Sequence, residues 1–222
     1  QAMNLVSSIF QQKGESYIDS LQHYLQLGIE HMQSYGLTGG HTEEMGYFGH
    51  YINPLTAYQR TVGDKKHFRV NLLRHHTVFE EMIKNNTQFN EPFIEPGAMK
   101  IFADGSFGGS TAALLEPYAN EVDNKGMLIH TDEQMEALIQ LARKYDEAVA
   151  IHIIGDSSME QVLTYLEKYP VAKGKRDRLI HCCLVSEEQL TRIKKLPVIL
   201  DLQPAFVTSD FPWIIEKLGE NR

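Results

Sequence analysis

His152 and His181 are the residues whose type and setting point most directly to chemistry. His152 stands late in the apolar run Val149-Ala150-Ile151-His152-Ile153-Ile154, ahead of Gly155-Asp156, and His181 closes Leu179-Ile180-His181-Cys182. An imidazole inside so apolar a run must be satisfied by a partner. Taken singly, each is either a hydrogen-bonded core histidine or a ligand. Taken together, they hold equivalent places in successive strand–helix units, so neighbouring strands would aim both at one site. Neutral imidazoles on rigid strands suit a divalent metal such as zinc. Lys100 interrupts the apolar run Met99-Lys100-Ile101-Phe102. A buried lysine is costly unless paired or chemically altered, although an end-of-strand lysine can also reach water. Asp104 and Asp156 each follow a strand beside a glycine, where they serve a turn or hold a ligand histidine. Asp201 and Asp210 are further carboxylates near a strand end. Cys182 reads as buried packing rather than a nucleophile, and His75-His76, in a polar run, as solvated.

These residues need elements to position them. Leu21, Leu25, Ile29 and Met32 recur at helical spacing after Ser16 and Asp19, and Gly36 can end that helix. Residues 37–41 read as a short strand running into a glycine-rich loop, residues 43–59 as irregular and aromatic. Strands are expected over 68–73, 99–103, 148–154, 178–184 and 197–202. Helices are expected over 78–84, from the Thr131 cap to Tyr145, over 157–169, from the Ser186 cap to Leu196, and over 211–218. Gln134 and Gln189 stand three residues after their caps, the spacing of a capping box. Between the strand at 99–103 and the Thr131 helix a long loop runs to about Ile129. Strands alternating with helices and built of continuous apolar runs describe an α/β fold with a parallel sheet buried on both faces. The choice lies between an open doubly wound sheet and a (β/α)8 barrel, and no glycine-rich phosphate fingerprint follows any strand.

The chain has 222 residues, 42% hydrophobic and 23% charged, enough for one large domain. Net charge is −8 with scattered basic residues, which argues against a nucleic-acid or acidic-membrane partner. No run approaches the roughly 18 apolar residues of a membrane span, and no secretory signal is read at the start. Cys182 and Cys183 are adjacent and would point to opposite faces of a strand, so a disulfide between them is not expected and a cytoplasmic setting is.

Four ordered motifs over residues 99–222 resemble the amidohydrolase superfamily, in the branch that contains N-substituted formamide deformylases. Met99-Lys100-Ile101-Phe102-Ala103-Asp104-Gly105, with Thr111-Ala112-Ala113-Leu114 and Glu116-Pro117-Tyr118, resembles its fourth-strand motif. His152-Ile153-Ile154-Gly155-Asp156 is similar to the fifth-strand motif, and Arg178-Leu179-Ile180-His181 to the sixth. Gln203-Pro204, Asp210, Trp213 and Leu218-Gly219-Glu220-Asn221-Arg222 resemble the seventh-strand region. Gly36-Leu37-Thr38 would enter the second strand. The resemblance implies metal ligation by His152 and His181. It places Lys100 where many members have a carboxylated lysine bridging two metals, and gives Asp104, Asp156 and Gln203 supporting or substrate-contacting roles. It implies one or two divalent ions, zinc foremost, and hydrolysis of a small-molecule amide or other non-peptide C–N bond by a metal-activated water.

Departures from the pattern shape the expectation. Ile180 stands where the branch has glutamate, and Gly109-Ser110 where it has Ser-Arg. No His-x-His occurs, and Ser209-Asp210-Phe211-Pro212 directly follows Gln203-Pro204, so Asp210 reads as a loop aspartate and not as the eighth-strand general base. The expectation is one domain over 1–222, a partial TIM (β/α)8 barrel covering strands two to seven. Its first and eighth strands would be absent, its general base unassigned and its own activity low. Open strand edges would favour a homo-oligomer. The rivals are a barrel-like binding domain that has lost its metal site, and a Schiff-base enzyme using Lys100.

Overall fold

A computed structural model describes residues 14–62, 68–89 and 91–222. The opening residues, where no secretory signal was read, lie outside these. The chain forms two compact units, Gln1–Met99 and Lys100–Arg222.

In the first unit, helix α1 (Glu15–Ser34) leads to strand β1 (Gly39–Thr42). Gly36 ends α1 as expected. Its φ of +79° lets the Leu37 amide donate to Met32 O at 3.2 Å while its own amide donates to Gln33 O at 2.9 Å. The start differs from expectation: α1 begins at Glu15 after Gly14, with no side-chain cap. A single 3-10 turn (Glu44–Gly46) follows β1, then helix α2 (Ile52–Val62), strand β2 (Arg69–His75), helix α3 (His76–Lys84) and the start of strand β3 (Ile94–Phe102). The segment expected to be irregular thus contains α2. Pro54 hides it in the sequence, yet it stands in the first turn, where a missing N–H breaks no helical bond. β1 pairs in parallel with β2, Gly39 opposite Arg69, and β3 lies beside β2. Ile29, Met45, Val62, Phe68 and Leu72 are fully or almost fully buried in the core between these elements.

The second unit takes up the end of β3 and continues through the long loop to helix α4 (Asp132–Lys144), strand β4 (Val149–Ile153) and helix α5 (Asp156–Lys168). Strand β5 (Asp177–His181), helix α6 (Glu187–Ile193), strand β6 (Val198–Asp201) and two short helices, α7 (Ala205–Ser209) and α8 (Trp213–Leu218), follow. Both capping boxes form, Thr131 with Gln134 and Ser186 with Gln189. The strand expected to reach residue 184 stops at His181, because His181 and Cys182 take φ of +78° and +51°, which a strand cannot accommodate. The helix expected over 211–218 is shorter: Phe211 and Pro212 lie in the turn before α8. The order β3-β4-β5-β6 follows the sequence, with β4 parallel to β5 (His152 opposite Ile180) and β5 parallel to β6 (Ile180 opposite Asp201). On β4, Val149, Ala150, Ile151 and Ile153 are wholly buried, as a strand covered on both faces requires. Met135 and Ile139 of α4 and Val162, Leu163 and Leu166 of α5 are also buried; each such side chain contributes about 1.5–3 kcal/mol of transfer free energy. Successive strands lie side by side, each followed by its helix, and the fold is a partial (β/α)8 barrel.

Candidate metal centre

The C-terminal ends of β3, β4 and β5 carry the candidate residues, the end at which barrel enzymes assemble their sites. His152 on β4 and His181 on β5 meet with ring centroids 4.8 Å apart, edge to face. Their second nitrogens are held in different ways. His152 Nε2 lies 2.9 Å from the carbonyl of Gly105, which only accepts, so Nε2 carries the proton and Nδ1 keeps its lone pair. His181 Nδ1 lies 2.7 Å from Gln203 Oε1. The Gln203 amide nitrogen donates to Asp201 O at 3.0 Å, which fixes the oxygen toward the ring. His181 Nδ1 is therefore the donor of this bond, which leaves Nε2 as the nitrogen open to a ligand. Burial holds the His152 pKa well below the usual imidazole value, at about 4, against the Gly105 bond and with help from the Lys100 charge and His181. Both the proton placement and the low pKa make His152 a neutral donor at neutral pH.

Lys100 is buried on β3. Its ammonium donates to Ile101 O at 3.1 Å and stands 3.8 Å from the centroid of the Phe102 ring, a cation–π arrangement. Phe102 in turn lies 5.2 Å, centroid to centroid, from His152. Lys100 and Phe102 are two apart on a strand and share a face, so Phe102 joins the histidines to the lysine. The sequence reading passed over Phe102, although its spacing from Lys100 was the available signal. The Gly105 carbonyl, a backbone group, had none.

Asp104 is fully buried and organises the loop around the site. Oδ2 accepts from the Ala113 amide (3.0 Å), the Gly155 amide (2.8 Å) and the Ser158 hydroxyl (2.8 Å), and Oδ1 from the Ile154 amide (3.0 Å). Its distance to His152 Nε2 is 3.6 Å, beyond a hydrogen bond. Burial raises its pKa, and the four donors oppose that rise. Gly155 is required at this junction, because a Cβ there would stand 2.0 Å from Ala113 O. Asp156 Oδ1 accepts from the Leu115 amide at 2.9 Å, which ties the same loop to the start of α5.

Other candidates are placed elsewhere. Asp201 forms a two-pronged pair with Arg178, at 2.9 and 2.6 Å, that joins β5 to β6. Asp210 accepts from the Ser209 hydroxyl at 3.0 Å at the end of α7. Burial pushes the Cys182 thiol up to about 12, and the Cys183 thiol to about 11. His75 and His76 are half-buried rather than solvated. Their rings lie 4.4 Å apart, and His75 Nδ1 caps α3 by accepting from the Thr77 amide at 3.4 Å, with the Thr77 hydroxyl 2.8 Å from the same nitrogen. Among the described residues, no group of three or more His, Cys, Asp or Glu side chains converges as a metal cluster. The two histidines nevertheless have the chemistry of a borderline metal's ligands, namely imidazoles with one nitrogen anchored and the other turned to the shared site.

Residues 2–222 match the sequence profile of the amidohydrolase family. The putative amidohydrolase YtcJ of Bacillus subtilis (strain 168) is 40% identical over 223 residues, covering all of this chain and 41% of that protein. Protein LONG AFTER FAR-RED 3 of Arabidopsis thaliana is 30% identical over 129 residues, 57% of this chain and 22% of that one. Two solved structures described as uncharacterized metal-dependent hydrolases are also similar. The one from Pyrococcus furiosus has 28% identity and a TM-score of 0.79, covering 92% of this chain and 42% of its own. The one from Pyrococcus horikoshii OT3 has 27% identity and a TM-score of 0.75, covering 92% and 41%. The chain therefore spans about two fifths of the length of YtcJ and of these two structures. Profile, relatives and barrel architecture agree, and the chain belongs to the amidohydrolase family.

Proposed function

We propose that these residues form part of a single barrel domain of a hydrolase that cleaves non-peptide carbon–nitrogen, amide-type bonds of a small molecule with a metal-activated water. The observation that carries this reading is the complementary proton placement on the histidine pair, which leaves Nδ1 of His152 and Nε2 of His181 as donors. When bound, a divalent ion, zinc in this reading, supplies Lewis acidity to the substrate carbonyl and lowers the pKa of a water. The chain's own residues hold the donors. Gly105 and Gln203 orient the rings, and Asp104 and Asp156 fix the loop that carries Gly105; Lys100, an ammonium with no lone pair of its own, would serve as the third metal-holding residue only if carboxylated, through its carbamate oxygens. The general base is not assigned to any of these residues. A cytoplasmic homo-oligomer completes the reading, with the edge strands β1 and β6 offering backbone groups to another copy.

With two imidazoles as its only ready donors among these candidates and Lys100 a donor only if carboxylated, the 222-residue chain is expected to bind zinc weakly and to turn over amides poorly. A zinc titration followed by imidazole nitrogen shifts tests the assignment. Shifts at His152 and His181 that vanish in His152→Ala and His181→Ala support it, and their absence would favour a binding domain without a metal. Tight stoichiometric zinc with amide turnover would overturn the view that this donor set is incomplete.

A further inference from the structure

The first unit carries a cavity of its own, and what is inferred from it does not rest on the hydrolase reading. Helix α1 presents Leu21, Tyr24 and Leu25, spaced i, i+3, i+4, toward α2 and the turn after β1. Together with Phe48, Tyr58 and Glu44 they line a cavity of about 400 Å³, the size of a small-ligand pocket. Tyr24 and Phe48 are solvent-exposed at this cavity, whereas Tyr58 is buried. The Glu44 carboxylate is half-buried. It accepts the Tyr58 hydroxyl hydrogen bond, and no cationic side chain is within ion-pair distance of it among the described residues.

The wall chemistry selects the occupant. A neutral apolar guest would dehydrate the Glu44 carboxylate without compensating its charge, which is costly. An anion would be repelled by it. A bare divalent cation wants six or more oxygens and would find one carboxylate among apolar walls. A cation that carries its own apolar coat satisfies every wall: its charge faces the carboxylate, and its alkyl groups face the aromatic rings. We infer that the cavity between α1 and α2 is a binding site for a small organic ammonium compound, with Glu44 as the counter-charge and Tyr24, Phe48 and Tyr58 as its aromatic walls.

Calorimetric titration with choline chloride, against dimethylbutanol as its uncharged carbon isostere, tests this at constant ionic strength. Choline is expected to saturate one site and the isostere to bind about tenfold more weakly or not at all. Glu44→Gln keeps an acceptor for Tyr58 and removes the charge; it should weaken choline about tenfold. Phe48→Leu leaves the carboxylate untouched and should weaken choline severalfold, so the inference does not hang on one variant's folding. Failure of choline to saturate by tens of millimolar, equal binding of the isostere, or unchanged affinity in both variants would overturn it.

Discussion

Replacing Asp104 by alanine removes the acceptor of four hydrogen bonds at once. Three come from backbone amides, of Ala113, Ile154 and Gly155, and these have no side chain to turn toward water. The fourth donor, the Ser158 hydroxyl, already lies 2.8 Å from Gly155 O and keeps that partner. An orphaned buried amide costs about 1–3 kcal/mol, and loss of a buried carboxylate returns part of its desolvation penalty. The net expectation for Asp104→Ala is about 3–5 kcal/mol of lost stability, a large share of the roughly 5–15 kcal/mol typical of a domain. Asparagine separates the contributions. Its oxygen can take the place of Oδ2 and keep three donors, while its amide then faces the Ile154 N–H, so Asp104→Asn should cost only about 1–2 kcal/mol. Urea unfolding followed by far-ultraviolet circular dichroism gives both values. Hydrogen exchange should show lost protection at Ala113, Ile154 and Gly155 in the alanine variant. If Asp104→Ala costs under about 1 kcal/mol, or asparagine is as harmful as alanine, the clamp reading of Asp104 is wrong.

Burial holds the His152 pKa at about 4, below its unfolded value, so the unfolded state takes up the proton first as pH falls. Stability should be unaffected above about pH 6.5 and should drop by about 3 kcal/mol on acidification to pH 4; His152→Asn should flatten that window in denaturation curves. Gly155→Ala drives a Cβ into the Ala113 carbonyl and should destabilise by about 2 kcal/mol or more. Gly28→Ala, in open space within α1, should stabilise by up to about 1 kcal/mol; equal effects from the two in thermal melts would refute the packing account. Gln203→Leu removes the acceptor at His181 Nδ1 and should weaken zinc binding about 10–100-fold with no matching loss of fold, as read by titration and circular dichroism.

Much of the scaffold was legible because its signals are local. The apolar runs of β4 and β5, the Gly36 stop and the two capping boxes each depend on residues within a few positions of one another. What escaped depends on groups that meet only after folding. Nothing in Arg178-Leu179-Ile180-His181-Cys182 announces that the chain turns left-handed at His181, the strain that ends β5 at the candidate ligand. The Asp104 clamp joins residues up to 54 positions apart and looks, in sequence, like an ordinary Asp-Gly turn. The histidine pair was readable as a pair. The choice of donor nitrogen on each ring was not, since it is set by a backbone carbonyl and a glutamine from the following strand region.

Each strand from β1 to β6 lies beside the one before it in the chain. A nascent chain leaving the ribosome can therefore dock every new strand on an edge already built, without waiting for a distant partner. Growth of this kind proceeds at one open edge, and the pairings made earlier need not be undone as the next unit arrives. In evolutionary terms such a sheet is extensible: strand–helix units can be added beyond β1 or β6 while His152 and His181, on adjacent interior strands, keep Gly105 and Gln203 as the neighbours that orient them.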